Sequence, residues 1–98
     1  MQTKSESMRM HIWVKGRVQG VGFRAHVEFY AAQAGVTGWV RNVGYDTVEA
    51  VAEGTPAQVD QFIGMVRQGP RASRVDEARV EYEPVTGEFD GFMVRRSV

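Results

Sequence analysis

Gly16-Arg17-Val18-Gln19-Gly20-Val21-Gly22-Phe23-Arg24 joins an extended apolar run to a helical one, and its reading decides the fold. Gly16, Gly20 and Gly22 fall within its first seven residues. Without Cβ, such a backbone can enter φ > 0 and turn its N–H groups to one side. Successive N–H groups on one side form a concavity that binds anions. A helix starting at Phe23 adds the positive end of its dipole and its unpaired donors. Arg24, in the first turn, adds a guanidinium fork matched to phosphate. A cation at a helix N-terminus opposes the dipole slightly, a cost that an anion held between the two would offset.

Upstream, Met10, Ile12 and Val14 alternate with His11, Trp13 and Lys15, the period of a half-buried strand. Downstream, Phe23, Val27, Tyr30, Ala31 and Ala34 share one helix face, and Gly35 follows as the C′ residue. Val36 to Val43 is β-branched and aromatic and predicts a second strand. A turn at Gly44-Tyr45-Asp46 leads to a third, with Val48, Ala50 and Ala52 on one face and Glu49, Val51 and Glu53 on the other. Thr55-Pro56-Ala57-Gln58 offers an N-cap, a proline at N1 and a glutamine at N3. The helix it starts carries a stripe of Val59, Phe62, Ile63 and Val66 and stops at Gly69-Pro70. Ala78, Val80 and Tyr82 alternate with Arg79, Glu81 and Glu83 in a fourth strand, and 91–96 allows a short fifth. The order βαββαβ predicts an α+β, ferredoxin-like sandwich: one antiparallel sheet with both helices on one face. Residues 1–8 are expected to form a flexible N-terminal tail and 9–98 the domain.

Ninety-eight residues make one domain with a modest core. Twelve basic residues balance twelve acidic ones, which argues against a broad nucleic-acid footprint and a polybasic membrane anchor. There is no cysteine, so disulfide and thiolate chemistry are excluded. No apolar run approaches a membrane span, and residues 1–7 lack the apolar centre of a secretory signal. A cytoplasmic monomer is the expected state.

The loop also resembles the signature of the acylphosphatases, enzymes that hydrolyse carboxyl-phosphate anhydrides. That family's pattern reads Gly-x-Val-Gln-Gly-Val-Gly-Phe-Arg, and every fixed position is present at 16–24. Its second hallmark, an asparagine closing an aromatic-containing strand, is matched by Gly38-Trp39-Val40-Arg41-Asn42. Val48 to Gly54 is similar to the family's third strand, and Gly69-Pro70 to the end of its second helix. The resemblance runs from about Met8 to the C-terminus. It implies a small-molecule acyl phosphate as substrate, with Asn42 orienting the attacking water.

The residues suit that chemistry. The leaving carboxylate is a stable anion whose conjugate acid titrates near roughly pH 4, so there is little need for a general acid. What remains is to hold a phosphoryl group, stabilise its oxygens and place a water in line. Arg24 is the expected clamp, and the amides of Gln19, Gly20, Val21 and Gly22 the expected cradle. Asn42 can accept from water and donate to oxygen without repelling phosphate. No cofactor and no metal are expected. The segment Val43-Gly44-Tyr45-Asp46-Thr47 departs from the proline or Asp-Gly turn frequent in the family, which leaves the hairpin geometry open.

Other residues invite blander readings. His11 and His26, without cysteine or clustered carboxylates, make a poor zinc site; His11 is expected on a sheet face and His26 on a helix surface. Trp13 and Trp39 fall on the face away from Ile12, Val14 and Val40, where they pack or offer a contact patch. The alternation of Arg79 to Glu83 reads as a solvated strand face. Phe23 is expected to anchor the cradle to the core. The alternative function is a binding module on the same scaffold. An RNA-binding sheet, however, needs aromatic and basic residues on its central strands, and Val48 to Gly54 carries Glu49 and Glu53 instead.

Overall fold

A computed structural model describes residues 6–98. The elements are β1 (Met8–Arg17), α1 (Phe23–Ala34), β2 (Thr37–Val43), β3 (Thr47–Gly54), α2 (Pro56–Gln68), β4 (Arg74–Glu83) and β5 (Phe92–Val94). They form one sheet in the order β4-β1-β3-β2-β5. The four longer strands pair antiparallel, in the expected ferredoxin-like arrangement. β5 differs, pairing parallel to β2, so the sheet is mixed. The reason is the route of the chain: the link from β4 spans the sheet from one edge to the other and delivers β5 in the direction of β2. Of the expected tail, residues 1–5 lie outside the described residues, and Met8 already belongs to β1.

Both helices cover one face. Met10, Ile12 and Val14 of β1, Val40 of β2 and Val48, Ala50 and Ala52 of β3 meet Phe23, Val27 and Ala31 of α1 and Val59, Phe62 and Val66 of α2 in a single core. Small alanines on the central strand leave room for the two phenylalanines, both fully buried. Each such ring contributes on the order of 1.5–3 kcal/mol by leaving water. α2 opens as its sequence predicts: Thr55 Oγ1 accepts from the Gln58 N–H, and Gln58 Oε1 accepts from the Thr55 N–H. α1 ends at Gly35, whose N–H donates to Ala31 O.

β4 begins four residues earlier than its alternation suggests. Arg74 to Glu77 carries one apolar residue, Val75, too little to show a strand period, but it pairs with the end of β1 across a bulge at Lys15/Gly16. The opposite sheet face is also less solvated than the alternation implies. Val51 on that face is fully buried, and Trp39 nearly so. His11 stacks on Trp13 at 3.8 Å, with Arg79 4.4 Å from the same indole. His11 Nδ1 lies 2.7 Å from Glu83 Oε2, and Nε2 2.6 Å from Glu49 Oε2. Arg41 Nε donates to Glu49 at 2.8 Å, and Arg9 reaches Glu53 and Glu83. The segment after β4 is pinned over this end of the face, because the N–H groups of Thr86 and Gly87 donate to Glu53 at 3.0 Å. The tryptophans therefore pack, and Glu83 is part of a network instead of a bare solvated edge.

His26 is likewise not a free surface group. It is half-buried, and its Nε2–H donates to Met65 O at 2.9 Å, tying α1 to α2. Among the described residues, no helix is long and apolar enough to cross a membrane.

Candidate active site

The glycine loop leaves β1 at the sheet end where the β2–β3 hairpin turns. Two apolar anchors hold it: Val18 and Phe23 are each 1% exposed. Between them Gly20 (φ 73°) and Gly22 (φ 78°) take the left-handed conformation. A Cβ on either would meet nothing within 4 Å. Glycine is therefore needed there for its backbone freedom and not for lack of space.

Gly22 is also the N-cap of α1, and having no side chain it supplies no cap. The first intrahelical bond runs from His26 N–H to Gly22 O at 3.0 Å. The N–H groups of Phe23, Arg24 and Ala25 thus precede the helical ladder, as first-turn donors must. No acidic residue sits in that turn to neutralise its positive end. Among the described residues Arg24 forms no ion pair.

A cleft of about 360 Å³ opens here, lined by Gln19, Gly20, Gly22, Arg24 and Asn42 together with Val18, Phe23, Ala25, Glu28 and Val94. The structure therefore brings Arg24 and Asn42, 18 positions apart in sequence, to one place. Val21 does not line the cleft; its side chain packs against the core. Asn42 sits near the end of β2, paired with Val48. Its carbonyl oxygen accepts from Val98 N–H at 3.0 Å, so residues 95–98 run beside the end of β2. Its side-chain Oδ1 is buried and has no hydrogen-bond partner among the described residues. An acceptor left unpaired in this way costs on the order of 1–3 kcal/mol.

The hairpin left open by the sequence is a tight one. Val43 pairs with Thr47 across Gly44-Tyr45-Asp46. The Gln19 side chain reaches it, with Nε2 2.9 Å from Thr47 O and 3.1 Å from Gly44 O. The sequence marked Gln19 for its backbone amide only. It also passed over Glu28 and Val94. Glu28 was findable, since it stands four residues after Arg24 on the same helix face. Val94 was not, because its place depends on the parallel pairing of β5 with β2. Among the described residues, no group of three or more histidine or carboxylate side chains could hold a metal ion.

Fold and site together define a class: a small ferredoxin-like α+β protein with a left-handed glycine loop and a cleft at the junction of its first strand and first helix. The acylphosphatase family model matches residues 10–94. An acylphosphatase of Synechococcus sp. (strain JA-2-3B'a(2-13)) is 49% identical over 94 residues, covering 96% of this chain and 99% of the relative. One from Gloeobacter violaceus is 52% identical over 91 residues, covering 93% and 97%. The crystal structure of acylphosphatase from Bacillus subtilis superposes with a TM-score of 0.86 at 33% identity, covering 90% of this chain and 98% of that one. The chain belongs to the acylphosphatase family and is an enzyme of acyl phosphate hydrolysis.

Proposed function

We propose that the protein hydrolyses acyl phosphates without a metal, by in-line attack of water on phosphorus. The observation that carries this reading is that Arg24, Asn42 and the open end of α1 line one cleft, with Asn42 Oδ1 buried and unpartnered among the described residues. The phosphoryl group sits on the N–H groups of Gln19 to Gly22 and of the first helical turn, with the Arg24 guanidinium across two of its oxygens. Water donates to Asn42 Oδ1, which aims a lone pair of the water oxygen at phosphorus. The new P–O bond forms as the P–O bond to the acyl group breaks. The acyl group departs as a carboxylate, and the water's proton passes to a phosphoryl oxygen. A dianionic acyl phosphate and water thus become a carboxylate and dihydrogen phosphate. A carboxylate leaves readily, so Lewis-acid help is not required. The partner is a small molecule, and the protein acts as a cytoplasmic monomer.

Hydrolysis of benzoyl phosphate with excess EDTA tests the reading. Wild type turns over. Arg24→Ala and Asn42→Ala stay folded by circular dichroism and lose on the order of 10²-fold or more in rate. Full activity in Asn42→Ala, or loss of wild-type activity in EDTA, overturns the mechanism.

A further inference from the structure

Gln19 belongs to the glycine loop by its backbone and to the β2–β3 hairpin by its side chain. Its Nε2 lies 2.9 Å from Thr47 O, 3.1 Å from Gly44 O and 3.3 Å from Val43 O. A primary amide has two N–H groups, so the two shorter contacts take one each and the longest is shared. Both protons are committed to main-chain carbonyls. The side chain therefore has no donor left for a phosphate, and only its backbone N–H can join the cradle.

The three acceptors all lie in residues 43–47, the turn that begins directly after Asn42. Two parts of the site approach the substrate from different strands: the cradle from the end of β1, the asparagine from the end of β2. β1 does not pair with β2, since β3 lies between them. The Gln19 amide crosses that gap. Other attachments of the hairpin do not involve that side chain: Gly16 N–H donates to Asp46 O at 3.0 Å, Gly44 N–H to Val98 O at 2.9 Å, and Lys15 Nζ lies 3.8 Å from Asp46 Oδ2. Those survive any change of the Gln19 side chain, so they hold the fold while the side chain sets the fine spacing.

We infer that the Gln19 side chain is a positioning residue that sets the distance between the phosphate cradle and Asn42. The inference rests on the reading that Asn42 orients the attacking water. In-line attack tolerates little error, and a displacement of about 1 Å can cost on the order of 10²-fold in rate.

A double-mutant cycle on benzoyl phosphate hydrolysis tests this. Gln19→Met keeps the length of the side chain and removes both donors; Gln19→Ala removes the side chain altogether. Each should lower kcat by about 10- to 100-fold, while KM and the inhibition constant of inorganic phosphate move less than about threefold, because the cradle is intact. In an Asn42→Ala background the same changes should cost less than about twofold, since a water that is no longer held cannot be further misplaced. Thermal melting identifies any variant that fails to fold, and Gln19→Met carries the test if Gln19→Ala does. Losses that multiply in the double variant overturn the inference, as does a loss confined to KM or full activity in Gln19→Met. Full activity in Asn42→Ala alone overturns the reading beneath it and is told apart by that single variant.

Discussion

Phe23 and Gly69 lock together across the two helices: a Cβ on Gly69 would stand 2.7 Å from Cε2 of the Phe23 ring. Phe23 is the first residue of α1, and Gly69 caps the C-terminus of α2. The contact places the end of one helix against the residue that ends the glycine loop. It couples the core to the cradle, because Arg24 follows Phe23 and inherits its position.

Gly69→Ala should therefore act on stability and activity together. Gly69 has φ 66°, which costs an L-residue about 1–2 kcal/mol, and the new methyl group must displace both the Ser73 hydroxyl and a fully buried ring. A combined loss of about 2–4 kcal/mol is expected, read as a lower midpoint in urea, with a lower kcat below the transition. Wild-type stability in this variant would refute the coupling.

Gly20 and Gly22 should respond differently, because nothing occupies the space where their Cβ atoms would fall. Only the left-handed backbone is at stake. Alanine at either position should destabilise by about 1–2 kcal/mol. Asparagine, which tolerates that conformation better, should recover a good part of it. Equal melting temperatures for Gly22→Ala and Gly22→Asn would show that the loop has left this conformation.

Acid should weaken the open face of the sheet. The Glu83 carboxyl is held below the ordinary value of 4.5, chiefly by the hydrogen bond from His11, with burial opposing and Arg9 assisting. At Glu53 burial is the largest influence and pushes upward, but the Thr86 and Gly87 N–H groups and Arg9 together bring the net shift below 4.5. Both groups are lower in the folded state than in the unfolded chain. Their contribution is complete above the unfolded value and is lost as pH falls through the folded one. The melting temperature should thus drop steeply below roughly pH 4.5. Glu53→Gln should be less stable at pH 7 and approach wild type near roughly pH 2. Parallel curves for the two proteins across that range would contradict the assignment.

Glu28 places a negative charge on the cleft proposed to receive the substrate. It should discriminate against acyl groups that carry a second carboxylate. For an exposed charge at cleft distance the screened effect is about three- to tenfold. Glu28→Gln should raise the ratio of kcat/KM for succinyl phosphate over acetyl phosphate by that factor, with a smaller rise at high salt. An unchanged ratio at low salt would remove Glu28 from substrate selection.

The cradle was legible because its information is local. Three glycines, two apolar anchors and an arginine act within nine residues, and helix-cap chemistry and strand alternation act over shorter spans still. Thr55, Pro56 and Gln58 formed the cap their types predict. His26 was misread as a surface group because its partner, Met65 O, lies on the other helix. Arg79 and Glu81 are exposed, as the alternation predicts, but Glu83 is drawn into a network because its partners, His11 and Arg9, come from β1. By itself the sequence determined the order of elements and the left-handed glycine loop, and it named the two residues expected to do the chemistry. Only the tertiary structure decided that β5 lies parallel to β2, that Asn42 and Arg24 line one cleft, and that Gln19 spans the gap between β1 and β2. Those relations hang on pairing between segments far apart in the chain, and no local pattern of residue types encodes the distance at which they meet.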